Sequence, residues 1–542
     1  MSTRAPETSP GPALFTRKAT GLVREARGTD ALFYNVMWAS VALSFSFFWL
    51  LYGFAYQGSN AALAFLIAVA LGLPGAFMYA MLAQIMPRTG GDYVFNSRSL
   101  HPALGFAANF SYCFWLAIIY GVYTTYLAAY GFGAFGRMMA GFTGSAGWLD
   151  FGDWFSTEHG LFITGTVAVL LSAVVFVVGG LRLFLRLQVG AFVLYMLGAF
   201  LLPILAGLLQ SRTGFLANFN DYGANLGQEN ASAALAASAK DAGFAPVGFD
   251  LEATLKSVTV FWYIFGFLYS SNYFAGEIRT RKRTHLVAIP GAVLVGAVAI
   301  ALMLPAYLHV TGYTFNGMLG FADPAAYGFA AGAPAYPEIM SIAAGSWVVG
   351  AVIIVGFGVG LLIWLPQTML LMSRSMFAWS FDRIMPARLS YVDPRTHSPV
   401  VAIAIVTVLA IGSTAIYSFT TWFSTLAVLL GLSTTLIVTA VGAILLPYRQ
   451  RAMVENSPYG RKVAGIPLLS LVAGLALLGF SLAIGVLLWD PGSGASLSDN
   501  PGKIVLALGV YVLAFAIYFI SREVRKRQGI DLSLTYRELP PE

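Results

Sequence analysis

The side chains with binding chemistry to offer fall in one stretch, Phe261 to Arg283, which reads FWYIFGFLYSSNYFAGEIRTRKR. An apolar, aromatic run is interrupted at Gly266 and again at Ser270, Ser271 and Asn272. It closes on Gly276, Glu277 and the basic residues Arg279, Arg281, Lys282 and Arg283. In a bilayer, a broken helix leaves backbone N–H and C=O groups open, and these persist only where protein or a water-filled cavity satisfies them. Such a break near mid-membrane is the chemistry of reversible ligand binding. The plainer alternative is a bent helix, in which the serines bond back to the preceding turn and the glycine packs a neighbour. Gly266, Phe267, Tyr269, Ser270, Ser271 and Asn272 are the lining candidates here. Trp262, Phe265, Tyr273 and Phe274 have the bulk to cover a ligand, or to serve as ordinary packing.

Reactive centres of other kinds are not visible. A membrane-embedded enzyme needs paired carboxylates, a histidine cluster, or a nucleophile with a base. The five histidines, at 101, 159, 285, 309 and 397, have no metal-ligand spacing, and the single Cys113 has no disulfide partner within the chain. Neither an enzyme nor a bound cofactor or metal is expected.

The elements that must position the broken stretch follow from composition. The 542 residues are 58% hydrophobic and 10% charged, with a mean hydropathy of +0.75. That leaves too little polar surface for a water-soluble domain of this length. Apolar segments of about 20 residues or more, enough to span the hydrocarbon core, fall at twelve places: 31–56, 60–86, 102–135, 160–180, 186–209, 257–278, 286–311, 343–379, 399–419, 422–446, 466–489 and 502–521. An all-α integral membrane protein is predicted.

Residues 1–29 lack a signal peptide's apolar core and read as a cytoplasmic tail, and 522–542 as another. With the N-terminus inside, about 26 of the 31 Lys and Arg fall on the cytoplasmic side, while acidic residues divide evenly, as the positive-inside rule requires. The +7 net charge is spread over loops and not gathered into a stripe, so nucleic acid is not an expected partner. On the other side, connections 210–256 and 312–342 are long. They are either caps over an outward opening or plain surface loops.

Three stretches on the cytoplasmic side carry a resemblance. PRTGGDYVFNSRSLHPALGF, Pro87 to Phe106, follows the second span; AGEIRTRKR ends the sixth; SRSMFAWSFDRIMP, Ser373 to Pro386, follows the eighth. Together, and with a fainter match at Leu445 to Pro467, they resemble the amino acid, polyamine and organocation permease superfamily over nearly the whole chain. The resemblance implies a leucine-transporter-like fold of inverted five-plus-five helix repeats, over about 30–210 and 257–447, with spans one and six unwound around a central substrate site. Residues 211–256 would be extracellular, and spans eleven and twelve would lie in 448–521.

Span one departs from that family, because no glycine falls between Thr29 and Tyr52. Ala39, Ser40, Val41, Ala42 and Ser44 are the candidates for its unwound backbone. On span three, Tyr120 and Thr124 lie four apart on one face and either line the cavity or, for Thr124, bond between helices. On span eight, Trp364, Pro366, Gln367 and Thr368 interrupt an apolar run, either as a functional kink or an ordinary one. Ser433, Thr434 and Thr435 on span ten are equally ambiguous.

No Asp, Glu, Lys or Arg is expected convincingly inside a span, which points to a substrate with an uncharged side chain. Sodium-coupled relatives use carbonyls of helix one with a hydroxyl pair on helix eight, and some proton-coupled relatives a Lys on helix five; neither pattern is present. Gln367 and Thr368, with Glu277 and Asp382, are the gating or coupling candidates. Glu277 is expected to pair beside Arg279 and Arg281, or to carry a proton. Asp382 is expected to pair with Arg374, Arg383 or Arg388. The sequence thus predicts a multi-pass plasma-membrane permease for an amino acid or related small amine, with a proton, sodium or no coupling ion and no obligate protein partner. Exchange, polyamine or organocation transport, and a transporter-like nutrient sensor are the alternatives.

Overall fold

The computed structural model describes residues 21–281, 283–329, 332–420, 425–457, 459–493, 495–496, 501–532 and 536. Most of the expected N-terminal tail, residues 533–535 and 537–542 of the expected C-terminal tail, Lys282 of the basic cluster, residues 330–331 of the second long connection and residues 422–424 of the expected tenth span lie outside the described residues.

Ten helices among the described residues are long and apolar enough to cross a bilayer. Two local features reconcile that number with twelve crossings. The 52-residue segment Glu158–Leu209 would reach about 78 Å as one helix, more than twice the hydrocarbon thickness. It turns at Gly180, where φ is 61° and ψ −160°. A side chain there would meet the Thr396 carbonyl oxygen at 2.2 Å, so only glycine fits the corner between spans four and five. The sixth crossing is a 16-residue helix, Leu251–Gly266, followed by two short 3-10 turns, Ser270–Tyr273 and Ala275–Glu277.

The remaining crossings are Gly28–Ala55, Ala61–Ile85, Pro102–Thr143, Thr284–Val310, Trp347–Phe381, Val400–Phe419, Thr425–Arg449, Leu468–Trp489 and Pro501–Arg527. Spans four, five, seven, nine, eleven and twelve keep large apolar side chains exposed, among them Leu171, Val178, Leu294, Val408, Leu478 and Val512. That is the surface hydrocarbon would cover. Spans one, three, six and eight are mostly buried and form the centre.

Span one is two helices, Gly28–Ala39 and Val41–Ala55, joined by Ser40 in the left-handed region at φ 39° and ψ 57°. A non-glycine residue held there costs about 1–2 kcal/mol, which the surrounding packing must offset. Span one therefore breaks without a glycine, within the five residues the sequence singles out.

The two long connections are structured. Arg212–Asn225, Ala231–Asp241, Gly312–Phe321 and Tyr336–Ala344 are helices, knit by ring contacts of Phe219 with Phe315 and Phe329. Tyr313 and Tyr336 pack on Trp49 and Phe45 of span one. A two-residue antiparallel pairing, Lys462–Val463 with Ile466–Pro467, turns the chain between spans ten and eleven.

Candidate functional site

The breaks in spans one and six face each other, and Asn35 joins them. Its Oδ1 accepts the Ser271 N–H at 3.0 Å, while Nδ2 donates to Ser271 Oγ at 3.0 Å and to the Ala288 carbonyl at 3.1 Å. The backbone opened by the sixth-span break is thus partly satisfied by an amide from span one, the condition for irregular backbone in a membrane. On the other side of Ser40, the Ala42 N–H lies 3.4 Å from the Tyr195 hydroxyl of span five.

Beside the breaks lies a cavity of about 100 Å³. Trp38, Ala39, Leu43, Ser44, Phe47 and Leu51 line it from span one, and Tyr112, Leu116, Ile119, Val122, Tyr123 and Tyr126 from span three. Val260, Tyr263 and Phe267 come from span six, Trp364 from span eight, and Leu429 and Leu432 from span ten. Among the described residues that line it, none is charged. The hydroxyls of Tyr112 and Tyr263 are buried without a hydrogen-bond partner of good geometry, so the walls hold polar capacity for something inside.

Of the residues singled out in the sequence, Ala39, Ser44, Phe267 and Trp364 line this cavity. Ser40 makes the break, and Val41 and Ala42 begin the next helix behind it, buried. Tyr120 donates its hydroxyl to the Leu365 carbonyl. Thr124 bonds to the Gly121 carbonyl and, across helices, to Thr414 at 3.1 Å. Gly266 ends its helix under the Trp262 ring. Tyr269 stacks on Tyr79 at 3.6 Å, Ser270 bonds to the Phe267 carbonyl and Asn272 to the Tyr79 carbonyl. The serine and asparagine groups of span six therefore secure the break, while its Phe267 faces the cavity. Trp262 packs on Phe480 and Phe265 on Phe65, among other rings.

Sequence reasoning missed Asn35, Trp38, Tyr112, Tyr123 and Tyr263. Asn35 had a signal, as an amide in an apolar run. Tyr123 lies three residues after Tyr120, close enough to share a neighbouring face.

From the cavity toward the end of the bundle that carries residues 21–28 and Arg527, the centre is shut in layers. The Trp364 indole N–H donates to the carbonyls of Met37 and Trp38 at 2.9 and 3.1 Å. Gln367 and Tyr34 exchange bonds: Nε2 to the Tyr34 carbonyl at 3.0 Å, and the Tyr34 hydroxyl to the Gln367 carbonyl at 2.9 Å. Thr368 bonds to the Trp364 carbonyl, and Phe274 sets its ring edge to Tyr34 at 4.9 Å.

Below that, Glu277 holds Arg374 by two bonds of 2.9 Å, both side chains buried. This corrects two expectations. The partner of Glu277 is not on its own basic cluster, and span eight does carry a charge in its interior. A cation there is tolerable because both guanidinium bonds and the carboxylate are satisfied together.

Asp382 likewise meets neither Arg374 nor its sequence neighbours in an ion pair. It binds Arg98 at 2.8 Å and the Tyr93 hydroxyl at 2.7 Å, from the loop after span two. The Tyr536 ring lies 5.1 Å from the Arg98 guanidinium. Two backbone bridges, Ala26 with Ile278 and Thr89 with Phe274, complete the closure. The same loop buries Asp92, which accepts the hydroxyls of Tyr273 at 2.6 Å and Thr439 at 2.7 Å.

A family model described as amino acid permease matches residues 30–515. No curated protein matches the chain.

Proposed function

The chain belongs to the amino acid permease family, and from that premise we propose that it carries a small amino acid with an uncharged side chain across the plasma membrane by alternating access. The chain is a multi-pass membrane transporter for amino acids or related substrates. The observation that carries the finer reading is a charge-free, aromatic cavity set against two helix breaks.

An amino acid's carboxylate and ammonium need no side-chain partners in such a place. The helix Val41–Ala55 starts at the break and presents N–H groups and positive partial charge; Leu251–Gly266 ends there and presents carbonyls and negative partial charge. With no lining charge, a cationic or acidic side chain would be buried unpaired, at a cost of several kcal/mol. The volume favours a small substrate, since about 150 Å³ is what benzene fills.

In this reading spans one to five and six to ten are inverted repeats, both termini are cytoplasmic, and the cavity is reached from the outer side while the inner side is latched. No catalytic set is invoked.

Thermal stabilisation of the purified protein across the amino acids and common amines tests the reading. A ligand at about 100 times its Kd stabilises the native state by about 2.7 kcal/mol. Alanine, serine or another small neutral amino acid should raise Tm and move across liposomes reconstituted with the protein. Preference for arginine or a polyamine over every neutral amino acid would overturn the substrate class, and binding without flux would mark a sensor.

A further inference from the structure

Asp92 opens the short helix Asp92–Ser99 on the loop after span two and is fully buried. Of the other buried carboxylates among the described residues, Glu277, Glu338 and Asp382 each meet an arginine at 2.9, 3.1 and 2.8 Å, and Asp490 accepts the Tyr56 hydroxyl at 2.9 Å. Among the described residues Asp92 meets no arginine and is held by neutral hydroxyls, closely by those of Tyr273 and Thr439 and more loosely by those of Tyr79 and Tyr269. Burial pushes its carboxyl above the ordinary aspartate value, and the hydroxyl bonds pull it only part of the way back. An isolated buried carboxylate relieves its desolvation cost by taking a proton.

Among the described residues, the side chains that face it are uncharged. Tyr79 faces it from span two, Tyr112 and Cys113 from span three, Tyr269 and Tyr273 from span six, and Tyr511 from span twelve. All of these are ordinarily neutral near pH 7. Four arginines on its own helix and on neighbouring spans are committed elsewhere: Arg98 to Asp382, Arg137 to Glu338, Arg374 to Glu277, and Arg449 to the carbonyls of Ser99 and Leu100.

Two relationships tie this carboxyl to the transport site. Tyr112 lines the cavity and stacks on Tyr273 at 5.7 Å, and Tyr273 holds Asp92, so a line of phenols runs from cavity to carboxyl. The hydroxyls of Tyr79, Tyr112 and Tyr269 are buried without a good partner. They are free to turn toward the carboxyl as its charge changes. Tyr273 also belongs to the broken part of span six, and its carbonyl takes the Gly90 N–H of the Asp92 loop at 3.0 Å. The rings of Tyr79 and Tyr269 stack at 3.6 Å; among cations, a proton needs the least room there.

We propose that Asp92 is the proton-binding site that couples substrate movement to a proton gradient. The proposal rests on the transporter reading above. Protonation forms one O–H bond on the carboxylate and removes the charge that the Tyr273 and Thr439 hydroxyls hold. It thereby loosens the tie between the Gly90–Asp92 loop and span six, part of the inner closure. Loss of the proton to the inner side restores the tie. Both ligands thus bias one two-state element, the physical requirement for coupling.

The test uses the full chain. In pH-difference infrared spectra, a protonated-carboxyl C=O band should grow as pH falls, vanish in Asp92→Asn, and titrate at higher pH in Tyr273→Phe, which loses a donor to the ionised form. In proteoliposomes with radiolabelled alanine, a gradient of one pH unit should support about tenfold accumulation at one proton per alanine. Asp92→Asn should lose that accumulation and keep alanine–alanine exchange.

Gradient-driven accumulation in Asp92→Asn equal to that of the unaltered protein overturns the proposal. So does a band whose midpoint ignores Tyr273→Phe, or an exchange loss as large as the accumulation loss. Alanine flux that ignores the pH gradient removes the coupling and leaves the transporter reading intact. No alanine flux at all strikes the substrate reading, and the infrared titration then decides the proton site on its own.

Discussion

Asn35 and Ser271 bond to each other twice, backbone N–H to Oδ1 and Nδ2 to Oγ, both at 3.0 Å, so one amide on span one closes the break in span six. Span six cannot shift there without breaking or carrying this pair. Asn35→Ala leaves a buried N–H unsatisfied, at a cost of about 1–3 kcal/mol. A lower Tm is expected, with ligand binding weakened about tenfold or more; a binding isotherm unchanged from the unaltered protein would separate Asn35 from the site.

Gly266 lies with the Trp262 ring 3.0 Å from where a side chain would begin. Gly266→Leu is therefore expected to abolish ligand-induced stabilisation while the protein still inserts and elutes as a single species. Retained binding would remove the end of this helix from the site.

The Met37 and Trp38 carbonyls, next to the first break, are taken by the Trp364 indole, and the nearby Thr368 hydroxyl is turned back to the Trp364 carbonyl. A cation at these carbonyls would have to displace the indole. Uptake is accordingly expected to be the same in sodium and in potassium buffers at fixed pH, measured as initial rate in proteoliposomes.

Removing one member of the Glu277–Arg374 pair strands a buried charge. Arg374→Ala should cost about 3–5 kcal/mol, while Glu277→Gln with Arg374→Met together should recover most of it. Denaturation midpoints of Arg374→Ala, Glu277→Gln, Arg374→Met and the double variant check this, and an additive double variant would mean the pair is not coupled in the native state.

Asp92 sets a pH dependence whose sign follows from burial. Its carboxyl is raised in the native protein, so the native state binds more protons than the unfolded chain. Its contribution to stability is complete below the unfolded aspartate pKa and is lost as pH rises through the native one. The Tm of the unaltered protein minus that of Asp92→Asn should therefore fall as pH rises from the ordinary aspartate range. A flat difference would place Asp92 in a solvated setting.

The fold was legible because its signals are additive. Long apolar runs and the Lys and Arg bias accumulate over many residues, and the Gly266 break stands out because glycine ends an aromatic helix. The Ser40 break carried no such mark: its left-handed backbone is imposed by packing around it, and sequence narrowed it only to Ala39–Ser44. The site was harder still. Hydroxyls at Ser270 and Ser271 read as lining, yet an open break in an apolar medium claims polar groups first for its own backbone. Cavity walls fell instead to Tyr112, Tyr123 and Tyr263, whose types alone do not separate lining from packing. Ion pairs were misassigned for a related reason: Glu277 and Asp382 have arginines beside them in sequence, but their partners arrive from about 100 and 284 residues away in the chain.

The cluster of Arg98, Asp382 and Tyr536 also has a bearing on biogenesis. Its members lie at positions 98, 382 and 536, so a ribosome must have made the chain through Tyr536 before the three can meet. Until then the end of the bundle that carries Arg527 lacks this latch. Assembly of this latch is timed by translation itself, and a nascent chain stalled before Pro501 has made every residue that lines the cavity without the assembled lock beneath them.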